Sequence, residues 1–132
     1  MYHPIILRHN QHPVGFEKRP DAPHIVQAYN PLCGDKFSVA LDIENGVVAQ
    51  VTFHGYGCAI SKASTSVLVE KIRGKSLPEI RQILENFLRT VEAGAPAPDD
   101  ETAAFAEARN FPGRMDCATL AWRALVGDSV IR

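Results

Sequence analysis

The order of patterns along the chain predicts an α+β fold: a three-stranded antiparallel sheet packed against helices. Period-two apolar alternation is confined to residues 24–53, and a 3.6-residue apolar period follows it. Asn45-Gly46, between two alternating runs, marks a hairpin inside the first block.

Each element follows from local chemistry. Residues 2–12 read as a short helix, with Pro4 tolerated in its first turn. Pro13, Gly15 and Pro20 punctuate a connection, and His24–Tyr29 reads as the first strand. Phe37, Val39, Leu41 and Ile43 alternate as the second strand; Val47, Ala49, Val51 and Phe53 form the third. A two-residue Asn-Gly loop would place Val47 opposite Glu44 and Val51 opposite Ala40, mixing the faces. A three-residue loop, Glu44-Asn45-Gly46, pairs Ile43 with Val47 and Phe37 with Phe53 and keeps one face apolar, so that register is preferred. Extended toward the open end, it sets Asp35 opposite Gly55 and Cys33 opposite Gly57.

Residues 59–73 then read as a helix ending near Gly74. Ser76 with Glu79 is a capping box that opens a helix with the stripe Leu77, Ile80, Ile83, Leu84, Phe87, Leu88 and Val91. An Ala/Pro loop at 93–99 leads to a short helix at 101–108. A last helix, about 115–126, carries Cys117, Leu120, Ala121 and Ala124 inward.

With 132 residues, 45% of them apolar, residues 1–132 are expected to form one domain with a real core. The net charge of -1 and the lack of a basic stripe speak against nucleic acid as the main partner. No run of 18 apolar residues and no signal-peptide pattern occur, so the expectation is a soluble, cytoplasmic protein without a membrane partner. Three separated cysteines do not make a disulfide framework. In a reducing compartment they are buried hydrophobes, metal ligands or reactive thiols.

Placement along the chain gives a candidate site, although the spacing alone is a weak signal because no Cys-x-x-Cys pair occurs. The preferred register gathers Cys33, Asp35 and Cys58 at one corner, and Cys58 immediately precedes a helix, where free N–H groups favour a thiolate. Cys117 is expected near the start of the last helix, a second such setting. Cys33, Asp35, Cys58 and Cys117 are therefore the candidate metal ligands, a plausible tetrahedral set for Zn²⁺. Closed structural zinc sites usually hold only Cys and His, so the aspartate points to a metal that exchanges a ligand.

Three motifs then carry a resemblance: Asn30-Pro31-Leu32-Cys33-Gly34-Asp35, Gly55-Tyr56-Gly57-Cys58-Ala59-Ile60-Ser61, and Arg114 through Trp122 around Cys117. Together they resemble the NifU/IscU-like iron–sulfur cluster assembly family, most closely its SufU branch. The resemblance implies a SufE/NifU-like sandwich. It also implies a zinc-dependent acceptor of persulfide sulfur from a PLP-dependent cysteine desulfurase (SufS-like), passing sulfur to downstream assembly proteins. Cys33 would be the sulfur-accepting residue, and Arg114 would hold the anionic persulfide or meet the partner. IscU-type scaffolds carry a His directly before the third cysteine; here Asp116 stands there, and a longer insertion precedes Phe111-Pro112-Gly113. Two alternatives remain open: a scaffold assembling a transient Fe–S cluster on the same ligands, and an interaction domain with structural zinc. Elsewhere, His54 reads as a surface residue, the other histidines as structural, and Trp122 as core. Lys71, Arg73 and Lys75 read as a solvated helix end.

Overall fold

A computed structural model describes residues 3–132. Helix α1 is Pro4–Gln11, capped by the His3 side chain, which accepts from the Ile5 N–H; the expected start at residue 2 lies outside the described residues. Strands β1 (His24–Tyr29), β2 (Lys36–Glu44) and β3 (Val47–Tyr56) follow in chain order and form one antiparallel sheet in the order β1-β2-β3. The remaining helices are α2 (Ala59–Ile72), α3 (Leu77–Ala93), α4 (Asp100–Phe105) and α5 (Pro112–Val126), with a 3₁₀ turn at Ala106–Asn110 before α5. This is the α+β architecture that the sequence predicts.

The hairpin register corrects the expectation. Glu44 pairs with Val47, so the tip is the two-residue Asn45-Gly46 turn. Asn45 (φ 54°) and Gly46 (φ 76°) both adopt the left-handed conformation that such a turn demands. The mixing of faces is cured one step later by a bulge: Ile43 pairs with Val48 and Asp42 with Gln50, leaving Ala49 as the extra residue. Beyond it Leu41 faces Val51, Val39 faces Phe53 and Phe37 faces Gly55, and the inward side chains are fully buried. Carried one step past Lys36–Tyr56, this register brings Asp35 beside Gly57, rather than Gly55.

Helix α2 runs against the sheet, α1 and α5 at once. Its positions from Ser61 to Val69 are almost all buried, which explains why no single apolar stripe marks it. Ser64 at its centre takes a hydrogen bond from the Trp122 indole N–H at 2.8 Å and donates to the Ala118 carbonyl, tying α2 to α5. Trp122 is fully buried, its ring stacked 3.7 Å from that of Phe87 on α3. Such a pair adds about 0.5–1.5 kcal/mol beyond its area burial. Helix α3 opens with the predicted Ser76–Glu79 capping box and ends on Gly94 at φ 76°. At the closed end of the hairpin, Val48 and Gly46 bond to Lys75 and Leu77, fixing the sheet to the α2–α3 connection. Lys71 and Arg73 are not merely solvated: Lys71 pairs with Asp99, and Arg73 donates to the Val51 carbonyl at 3.2 Å. The hydrophobic cluster is continuous from Ile6 to Ile131.

Candidate metal centre

The open end of the sheet is where the thiols meet. Asn30 closes the β1–β2 loop: its N–H donates to the Asp35 carbonyl at 2.9 Å, and its side chain accepts from the Leu32 N–H at 3.0 Å. Cys33 sits exposed on this turn. Its thiol has no hydrogen-bond partner among the described residues.

Asp35, at the foot of β2, shares the inward parity of Phe37 and Val39 and is only 4% exposed. Its Oδ1 accepts from the Cys58 N–H at 3.1 Å. Its Oδ2 is buried without a hydrogen-bond partner. Leaving a buried acceptor unpaired costs about 1–3 kcal/mol, so something other than protein is the natural occupant beside it. Gly57 makes the close approach possible. A Cβ there would come within 2.5 Å of the Ser61 Oγ, 2.8 Å of the Phe37 ring and 3.0 Å of the Asp35 carboxyl carbon.

Cys58 is the N-cap of α2. Its Sγ accepts from the Ser61 N–H at 3.4 Å and lies 3.6 Å from the Ser61 hydroxyl, which also donates to the Cys58 carbonyl at 3.1 Å. Cys117 departs from expectation. Helix α5 begins at Pro112, so Cys117 lies in its second turn, half-buried and away from the free N–H groups of the helix start. The thiol is pushed well above its ordinary range. Burial is the main cause, followed by the neighbouring Cys58 thiol and then the negative charge of Asp35.

One sulfur each from Cys33 and Cys117 and a carboxylate oxygen of Asp35 lie within 4.8 Å of one another. Tetrahedral zinc with bonds of about 2.3 Å to sulfur sets its ligands about 3.8 Å apart. The three therefore need only a small closure to hold such an ion. The orphaned Asp35 oxygen and the thiol donors fit zinc in chemistry as well. Of the four predicted ligands, three converge, and Cys58 lies beside Cys117 with its sulfur turned into the helix cap. Arg114, exposed one turn before Cys117, sets its guanidinium 4.8 Å from the Phe111 ring centroid. It lines a hollow of about 270 Å³ with Ile60 and Phe111.

Two features escaped the sequence reading. Ser61, at the third position after the Cys58 cap, is where a capping partner belongs, and that spacing was the available signal. Tyr29 and Tyr56 flank Lys36 across the strands on the outer face of the sheet, and with Leu32 (92% exposed), next to Cys33 in the chain, they leave apolar surface open at this end of the sheet. Alternation alone shows which face they occupy, not that nothing covers it.

Comparison with known proteins places these features among relatives. The NifU-like N terminal domain family matches residues 1–111. The chain is 32% identical over 128 residues to "Iron-sulfur cluster assembly scaffold protein IscU" of Streptococcus pyogenes serotype M1, covering 95% of this chain and 80% of that one. It is 29% identical over 128 residues to "Zinc-dependent sulfurtransferase SufU" of Bacillus subtilis (strain 168), covering 95% and 86%. Among solved structures, a putative iron-sulfur cluster assembly scaffold protein for the SUF system from Fervidobacterium islandicum AW-1 superposes with a TM-score of 0.83. It is 27% identical, and the match covers 93% of this chain and 92% of that one.

Proposed function

The chain belongs to the NifU-like N-terminal domain family, and we propose that it is a zinc-dependent acceptor of persulfide sulfur from a PLP-dependent cysteine desulfurase. At the coarser level it is an iron–sulfur cluster assembly protein of the IscU/SufU family. The observation that carries the finer reading is the convergence of the Cys33 and Cys117 thiols on the buried carboxylate of Asp35, with Cys58 alongside.

The ligands would be Cys33, Asp35, Cys58 and Cys117, and bound zinc would keep their thiols deprotonated at neutral pH. Cys33 is the accepting residue: it is exposed, lies on a turn rather than a helix, and has no hydrogen bond to hold it. Its sulfur attacks the outer sulfur of the desulfurase persulfide. The S–S bond breaks, the desulfurase cysteine leaves as a thiolate, and the persulfide stands on Cys33. Arg114 steadies that anion or the partner's approach. Leu32, next to Cys33 in the chain, and Tyr29 and Tyr56 on the outer face at the same end of the sheet supply exposed apolar area for the desulfurase to cover.

We read residues 1–132 as one functional unit, because α5, which lies beyond the family match, supplies Cys117. No described helix is long and apolar enough to cross a membrane. We place the protein in the cytoplasm, where three free thiols stay reduced. The scaffold reading, with a transient Fe–S cluster as cargo on the same donors, keeps support from the IscU relative named above.

Mass spectrometry after incubation with the cognate desulfurase and cysteine tests the assignment. The added sulfur is expected on Cys33; its appearance only on Cys58 or Cys117 would overturn it.

A further inference from the structure

Ser61 makes an asymmetry among the thiols that the ligand set alone does not contain. The residue is 1% exposed and belongs to α2, the most enclosed helix of the fold. Its N–H points at the Cys58 sulfur from 3.4 Å, and its hydroxyl lies 3.6 Å from the same atom. The hydroxyl is held in reach by its bond to the Cys58 carbonyl, and Gly57 leaves room for it only by lacking a side chain. The Cys58 sulfur therefore accepts from the Ser61 N–H and, as a thiol, donates to the Ser61 hydroxyl oxygen, whereas Cys33 has no hydrogen bond among the described residues.

Resting on the zinc reading above, we propose that Ser61 is a positioning residue that anchors the Cys58 sulfur, so that Cys33 is the thiol released for attack. Hydrogen bonds to a ligand atom fix its direction and screen its charge. A thiolate so held is less nucleophilic and slower to move than one without donors. The site then opens in one direction, at the loop, while the helix-borne cysteine stays in place. A site with equal thiols would divide the incoming sulfur between them.

The test uses zinc-loaded protein and limiting iodoacetamide, with the labelled cysteine mapped by mass spectrometry. The parent protein should label first at Cys33. Ser61→Ala should raise the ratio of Cys58 to Cys33 labelling at least threefold, with a circular-dichroism melt close to the parent's. A second effect should appear in zinc affinity, which falls by about tenfold in Ser61→Ala. That fall should vanish when Ser61→Ala is made on Cys58→Ser, because the hydroxyl then has no ligand sulfur to act through. A measurement on the parent alone avoids any folding defect: cadmium-113-loaded protein should show a scalar coupling between the Ser61 amide proton and the metal, transmitted through the Cys58 sulfur. An unchanged labelling ratio, an affinity loss of equal size in both backgrounds, or no such coupling would overturn the proposal. Failure to take up zinc or persulfide in the parent would instead sink the functional reading.

Discussion

Asp35 is the residue on which the account of the site turns. It is buried, one oxygen is held by the Cys58 N–H, and the other has no hydrogen-bond partner. Asp35→Asn keeps the acceptor for Cys58 but removes the charge that a cation would use. Zinc affinity is expected to fall by at least about tenfold, while the metal-free protein loses no more than about 1 kcal/mol. Competition with a chromophoric chelator and urea melts of the metal-free form measure the two sides; undiminished affinity would remove Asp35 from the ligand set. His9, on α1 against Ser66 of α2, makes a separate prediction. It is 2% exposed and hydrogen-bonded through Nδ1 to Ser66 at 2.7 Å, while Nε2 is buried without a hydrogen bond. Burial lowers its pKa below the ordinary 6.5, against the pull of Glu70; Arg8 on its own helix adds to the lowering and Glu101 on α4 opposes it. A histidine that the fold keeps neutral contributes stability that is fully present above the unfolded value of about 6.5 and is lost as pH falls below it. The urea midpoint should therefore drop between about pH 7.5 and pH 5.5, and drop less in His9→Gln. Equal slopes in the two proteins would show that His9 does not couple to folding.

Elements were legible where one residue pattern had one physical solution. The Ser76–Glu79 box fixed the start of α3, period-two alternation placed β2 and β3, and residue type between turn signals placed β1. The hairpin tip failed because two solutions keep the same face apolar: a three-residue loop, or a two-residue turn with one bulged residue. Parity cannot separate them, and Ala49, small and exposed, gives no sign that it is the extra residue. The start of α5 failed for a related reason. Phe111-Pro112-Gly113 looks like a break, but proline at the first helical position loses no hydrogen bond, so the helix begins there. That shift carries Cys117 from the helix start into its second turn, and burial there, with Cys58 and Asp35 as neighbours, pushes its thiol up. The register has its own test. Asn45→Val puts a β-branched residue at φ 54° and should cost about 1–2 kcal/mol, whereas in a three-residue loop position 45 is right-handed and the change would be nearly neutral. Urea denaturation decides between them.

At the scale of the whole molecule, the fold brings together residues far apart in sequence by three independent devices. A β-hairpin loop carries Cys33 and Asp35, the cap of a buried helix carries Cys58, and α5, pinned to α2 through Trp122 and Ser64, carries Cys117. The motifs made the candidate ligands and the family readable, but the exposed tyrosines and the Ser61 contact needed the packed structure. Zinc chemistry and cluster assembly use the same donors, so ligand identity does not separate them. Their responses to metal do. Desulfurase turnover measured with the zinc-loaded, metal-free and iron-reconstituted forms of this protein tests the central claim. The account predicts that the zinc form raises turnover strongly without iron, and that the metal-free form does not. No stimulation by the zinc form, together with a stable and transferable cluster on the iron form, would contradict it.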